Sequence, residues 1–211
     1  LRDAAGLARY CERSLERLLS WQSLSLEAPI DDLLEAPVLY LCGQEAWSFD
    51  DAQVHKLREY CQRGGLLLAN VPRDGEAFEE SMYALAQRLF PDFAPRPLQE
   101  SHPVFSGAVQ HVITRPPLVF EINNGVRSLM LIVPNDPARS WNEYRVSQRP
   151  EDFQLGANIY LYATDKSAPA NRLFTPEIPL RPVNVERTIR LARVRYGGAW
   201  DLEPYGWRRL R

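Results

Sequence analysis

The side chains best able to act as nucleophile, base or metal ligand in this 211-residue chain are three cysteines and three histidines. Their spacing argues against each of those uses. Cys11, Cys42 and Cys61 are widely separated and form no CxxC, so neither a disulfide framework nor a zinc site is expected. Cys11 and Cys61 fall on the apolar faces of helical patterns, where a thiol packs as a small hydrophobe. Cys42 ends an apolar run, and a lone cysteine at a strand terminus is more often a packing residue. His55 sits mid-helix on a polar face. His102 precedes a proline, a setting that favours a bond from its ring to the loop backbone. His111 pairs with neither at metal spacing. No cofactor is implied, and with no GxGxxG or P-loop, nucleotide binding is not expected either.

A second group has the composition of a polar ligand site. Asn70, Asp74, Asn135, Asp136 and Asn142, with Trp141 as an aromatic wall, are residues that orient sugars and other polar small molecules. They are equally the residues of capped turns, because Asn and Asp bond their own backbone, and Asp136 before Pro137 is turn-like. Both readings stay open on sequence alone. Asp74 and Asp136 form a candidate carboxylate pair for acid–base work.

The elements that must position these residues follow from periodicity. Leu7, Tyr10, Cys11, Leu15, Leu18 and Leu19 recur at helical spacing and predict an amphipathic helix over 3–20. Val38-Leu-Tyr-Leu-Cys42, stopped by Gly43, and Leu66-Leu-Leu-Ala-Asn70 are short continuous apolar runs, as expected of strands buried on both faces. Between them Ser48 and Asp51 have capping-box spacing, opening a helix through Val54, Leu57, Tyr60 and Cys61 that Gly64-Gly65 closes. A further helix carries Phe78, Met82, Leu85, Ala86 and Leu89 up to Pro91. Residues 118–122 and 127–133 flank Asn124-Gly125 as a hairpin, and 153–164 is helical. This alternation calls for crossover connections and a mostly parallel sheet with helices on its faces. Ligands in such sheets bind beyond the carboxyl ends of the strands. Those ends are Cys42 to Gln44, Asn70 to Asp74 and Pro134 to Asp136, giving Cys42, Gln44, Asn70, Arg73, Asp74, Asn135, Asp136 and Trp141 as the candidate ligand-binding set.

The composition is that of a globular protein: 45% hydrophobic, 25% charged, formal net charge −2. That balance gives no general attraction to nucleic acid or anionic lipid, and no apolar run is long enough to span a bilayer. Prolines at 169, 176, 179 and 182 mark 167–187 as a linker. Beyond it, Thr188 to Tyr196 alternates apolar residues with arginines like a strand having one solvated face.

Residues 36–71 carry a strand ending in Gly43, a Ser-Phe-Asp-Asp helix start, Arg63-Gly64-Gly65 and a leucine-rich strand. His102-Pro103, Asp136 to Trp141 and Gly156-Ala157-Asn158 follow. Together these resemble an uncharacterised bacterial family known as a domain of unknown function, DUF4159, within the class I glutamine amidotransferase-like superfamily. The resemblance covers about 4–166 and implies a flavodoxin-like, three-layer fold in a bacterial protein, cytoplasmic or envelope-associated. In that superfamily a cysteine on the sharp turn after the second of these strands attacks the substrate. Here the corresponding position is near Val71, followed by Pro72, so glutamine hydrolysis by that route is not expected.

Residues 190–207 resemble the opening strand and loop of the same family, whereas 1–20 look like the helix that follows such a strand. The tail is thus expected to start a truncated second domain or to supply the central first strand, in cis or to a neighbouring chain. The preferred expectation is a non-catalytic interaction or assembly module with a protein partner, or a second copy, engaged through 188–211. The rival is a hydrolase or sugar-active enzyme using the polar strand-end cluster.

Overall fold

A computed structural model of the protein describes residues 2–16 and 18–165. The linker expected over 167–187 and the strand expected over 188–196 lie outside the described residues. The described chain is a mixed α/β fold around one five-stranded sheet.

Helix α1 (Arg2–Leu15) and the short α2 (Ile30–Leu34) precede strand β1 (Val38–Cys42). Helix α3 (Asp51–Gln62) crosses to β2 (Leu66–Asn70), and α4 (Glu76–Leu89) leaves it. A two-residue strand β3 (Arg96–Pro97), the single-turn α5 (Pro103–Ser106) and a hairpin of β4 (Phe120–Asn123) and β5 (Ser128–Val133) follow. Helices α6 (Pro137–Glu143) and α7 (Pro150–Asp165) complete the fold. The strand order is β1-β2-β5-β4-β3. The first three strands are parallel, with Tyr40 opposite Leu68 and Leu68 opposite Leu131, while β4 and β3 add antiparallel pairs.

Burial explains the apolar runs. Every residue of β2 and β5 is buried, because these central strands are covered on both faces. Leu67, Ala69, Met130 and Ile132 pack with α2, α3 and α4, whereas Leu66, Leu68, Leu131 and Val133 pack with α5, α6 and α7. Leu7 and Tyr10 of α1 join the second layer. The pleat alone divides the side chains between two cores.

Three local details differ from the sequence reading. The capping box of α3 is built by Asp50 and Gln53 rather than Ser48 and Asp51. Asp50 Oδ1 accepts from Gln53 N at 2.8 Å, and Gln53 Oε1 accepts from Asp50 N at 3.2 Å. Phe49 then stands immediately before the cap, where it joins the same core as Val54, a hydrophobic staple that Ser48 as cap would displace. Second, α1 ends at Leu15, with Glu16 at φ 50, so Leu18 and Leu19 fall beyond it. Third, β1 and β2 are hydrogen-bonded directly from Val38↔Leu66 to Cys42↔Asn70, which leaves no slot for a central strand between them. Among the described residues β1 is the parallel edge of the sheet, and its residues apart from Leu41 are only half-buried.

The hairpin forms where the Asn-Gly signal placed it. Gly125 takes φ 88 at the turn, Asn123 Oδ1 accepts from Gly125 N at 2.7 Å, and Asn124 Oδ1 accepts from both Val126 N and Arg127 N at 3.0 Å.

Candidate functional site

The chain turns sharply at the carboxyl ends of β2 and β5, and those two turns floor an open polar cavity of about 610 Å³. That volume lies within the roughly 300–1,000 Å³ typical of small-molecule sites. Val71, Pro72 and Arg73 contribute from β2, and Pro134, Asn135 and Asp136 from β5. The first turn of α4 supplies Glu76 and Glu79. The opposite wall is Arg139, Ser140 and Glu143 of α6, Arg145 and Arg149 of the following loop, and Asp152 of α7.

Asn70 holds the junction beneath the cavity. It is wholly buried; its Nδ2 donates to Asp136 Oδ1 at 3.3 Å and lies 3.6 Å from Cys42 Sγ, while its Oδ1 accepts from Ala138 N at 3.3 Å. One amide thereby ties the end of β2 to the start of α6 and to the end of β1. Asp136, immediately before Pro137, adopts the left-handed conformation at φ 49 and ψ 53. Asp tolerates that region better than most non-glycine residues.

Of the candidate set, Arg73, Asn135 and Asp136 line the cavity and Asn70 supports it. Cys42 is half-buried at the neighbouring strand end, Gln44 and Asp74 are exposed, and none of the three lines the cavity. Trp141 is not a wall. It is buried in the α1-side core, its Nε1 donates to Asp152 O at 2.9 Å, and no aromatic ring lines the cavity among the described residues. Asn142 is exposed and stands outside it. With Asp74 outside, the expected Asp74–Asp136 pair does not share the cavity.

The α6 and α7 wall was not anticipated. Arg139 Nε meets Glu143 Oε1 at 3.4 Å, and Arg145 pairs with the other oxygen of the same carboxylate. Arg149 Nε lies 3.2 Å from Asp152 Oδ2, to which the Ser140 hydroxyl also donates. Arg73 has no partner among the described residues.

The position after β2 carries no nucleophile. Val71 is buried at 4% exposure, and its N–H donates to Val133 O at 2.9 Å. The Val71 backbone donor is thus already bonded and not free to hold an oxyanion, and Pro72 provides none. Cys42, at the neighbouring strand end, is not activated either. Burial pushes its thiol pKa up, Asp3 and Asp136 push the same way, and Tyr40 and Asn70 oppose them. A thiol held protonated is the reverse of an activated one, and no histidine is among the groups acting on it. His102 Nδ1 accepts from Val104 N at 3.2 Å, capping α5, which is the backbone bond its place before Pro103 suggested. Among the described residues no cluster of His, Cys, Asp or Glu has the makings of a metal site, and no helix is long and apolar enough to cross a membrane.

The fold and site therefore define an α/β domain with a charged strand-end cavity and no nucleophile where the second strand turns. Its family is the Domain of unknown function (DUF4159), to which the chain belongs, with residues 2–164 matched. No curated protein matches the chain.

Proposed function

We propose that this chain is a non-catalytic binding module, a bacterial member of the class I glutamine amidotransferase-like superfamily with a three-layer α/β architecture, in which the strand-end cavity takes a polar ligand. The observation that carries this is Val71, buried and backbone-bonded at the floor of a wide polar cavity where the related enzymes place a reactive sulfur. Parallel strands β1, β2 and β5, with helices over both faces, support the architectural part. The cavity's position beyond the carboxyl ends of the strands supports the ligand part.

The test combines a glutaminase assay with a fragment screen read by backbone amide NMR. The expected result is no glutamine turnover, and amide shifts that cluster at Arg73, Asn135 and Arg139. Turnover abolished by Cys42→Ala would overturn the reading. So would a screen in which no fragment moves those amides.

Assembly is the second part of the proposal, with residues 188–211 engaging another copy of the domain or a partner protein. It rests on the alternating arginine-rich pattern of Thr188 to Tyr196 and on β1, the half-buried parallel edge among the described residues. Light scattering of the intact chain beside a version ending at Lys166 tests it. An unchanged association state would remove this part and leave the cavity untouched.

A further inference from the structure

Charge around the cavity is not used up evenly. The lining carries four arginines and five carboxylates, a balance that on its face favours no anion. The carboxylates, however, already have structural work. Glu76 and Glu79 stand in the first turn of α4, where acidic side chains complement the helix dipole. Asp136 is held by Asn70, and Asp152 by Arg149 and Ser140. Glu143 serves two guanidinium groups at once. The arginines are less fully matched. Arg139 and Arg145 share that single carboxylate, and Arg73, which lines the same cavity from the β2 turn, has no partner among the described residues. Guanidinium groups with unused N–H donors recognise carboxylate and phosphate groups in a planar, two-pronged geometry. No aromatic ring among the described residues lines the cavity to stack on a sugar face, so charge and hydrogen bonds are the interactions it offers.

We propose that the cavity binds a small multivalent anion, a polycarboxylate or an oligophosphate, gripped between Arg73 on one side and the Arg139–Glu143–Arg145 group on the other. This rests on the binding-module reading above and names the ligand class of that site. Ser140 and Asn135 add neutral polar groups for the remainder of such a ligand.

Calorimetry and amide NMR of the intact chain test it at fixed ionic strength, with citrate and pyrophosphate as anionic probes and maltose and spermidine as neutral and cationic ones. Citrate, pyrophosphate or both should bind and shift the amides of Arg73 and Arg139. Loss of one charged hydrogen-bonding partner is worth about tenfold or more in affinity, so Arg73→Ala and Arg139→Gln should each weaken that binding by about that factor. Arg96→Ala, on the far edge strand β3, should leave it unchanged. Arg73 is exposed and has no partner among the described residues, so its replacement does not threaten their fold; unaltered thermal unfolding verifies this. If one anion alone binds, that result separates a polycarboxylate from a phosphate ligand and supports the shared chemistry. Three results would overturn the anionic class: neither anion binding, equal weakening by Arg96→Ala, or affinity indifferent to Arg73. Maltose or spermidine shifting the same amides without either anion would do so while leaving the binding-module reading intact.

Discussion

Replacing Asn70 by alanine tests whether the cavity is held together as described. The side chain is wholly buried, and its removal strips the acceptor from Ala138 N–H and the donor from the Asp136 carboxylate. A buried donor left unsatisfied costs about 1–3 kcal/mol, and a bond to a charged group is worth about 1.5–3 kcal/mol. Both contacts are 3.3 Å long, beyond the usual optimum, so the lower half of each range applies. The expected loss is about 2–4 kcal/mol, a large fraction of the ~5–15 kcal/mol that stabilises an ordinary domain. In urea, with a slope of about 2 kcal/mol/M, the midpoint should fall by about 1–2 M. Asn70→Asp, which sets a second carboxylate against Asp136, should be worse at neutral pH and recover on acidification. Asp74→Ala, at an exposed neighbouring site, should stay within about 0.5 kcal/mol of the parent. A double-mutant cycle with Asp136→Ala should show coupling of at least ~0.5 kcal/mol. Should Asn70→Ala shift stability by less than about 0.5 kcal/mol, or the cycle show no coupling, Asn70 does not hold the junction and the argument fails.

Other perturbations follow from the same geometry. Gly6 of α1 lies so close to α6 that an added Cβ would stand 2.0 Å from Trp141 O, so Gly6→Val should destabilise by several kcal/mol (about 3 or more), measured by chemical unfolding. Burial lowers the His102 pKa below its ordinary 6.5, with Glu121 opposing, so the unfolded chain binds the extra proton first. Stability should therefore be full above that value and decline as pH falls below it; His102→Asn, which keeps the cap on Val104 N, should flatten that loss below about pH 6.5 in urea titrations. The thiols of Cys11 and Cys61 are buried and pushed up to about 12, whereas Cys42 is half-buried, so a thiol reagent on the native protein should modify Cys42 first and the other two at the rate of unfolding.

How much of this the residues announced depends on what kind of signal each element sends. β2 and β5 are legible because both faces are covered and the apolar run is continuous, and the hairpin because Asn124-Gly125 is chemically specific. The buried cysteines and the capping role of His102 follow from local context in the same way. Helix α6 was not legible. It has seven residues, too few for a helical period, and begins with an Asp-Pro pair that equally starts a turn. Missing α6 meant missing Arg139, Ser140 and Glu143, and with them the loop that brings Arg145 and Arg149 to the same wall. Trp141 was misjudged for a related reason: once residue 137 starts a helix, position 141 points into the α1 layer instead of over the sheet end.

The same missed helix changes what the polar cluster means. Read along the chain, Asn70, Asp136 and Trp141 compete between a sugar site and ordinary turns, and the structure divides them instead by depth. Asn70 and Trp141 lie beneath the surface and fix α6 to the sheet and to α7, through Ala138 N and Asp152 O respectively. Asp136 sits at the boundary, half-buried, in a left-handed backbone conformation that its bond to Asn70 helps to retain. The arginines and the outer carboxylates reach the open volume beside Asn135 and Ser140. The groups nearest the strands therefore build the wall, and those farthest from them meet whatever occupies it. A cavity walled in this way can bind through its outer charges while its shape is held from below. Under the anion-binding proposal, selectivity rests with Arg73, Arg139 and Arg145, and stability with Asn70.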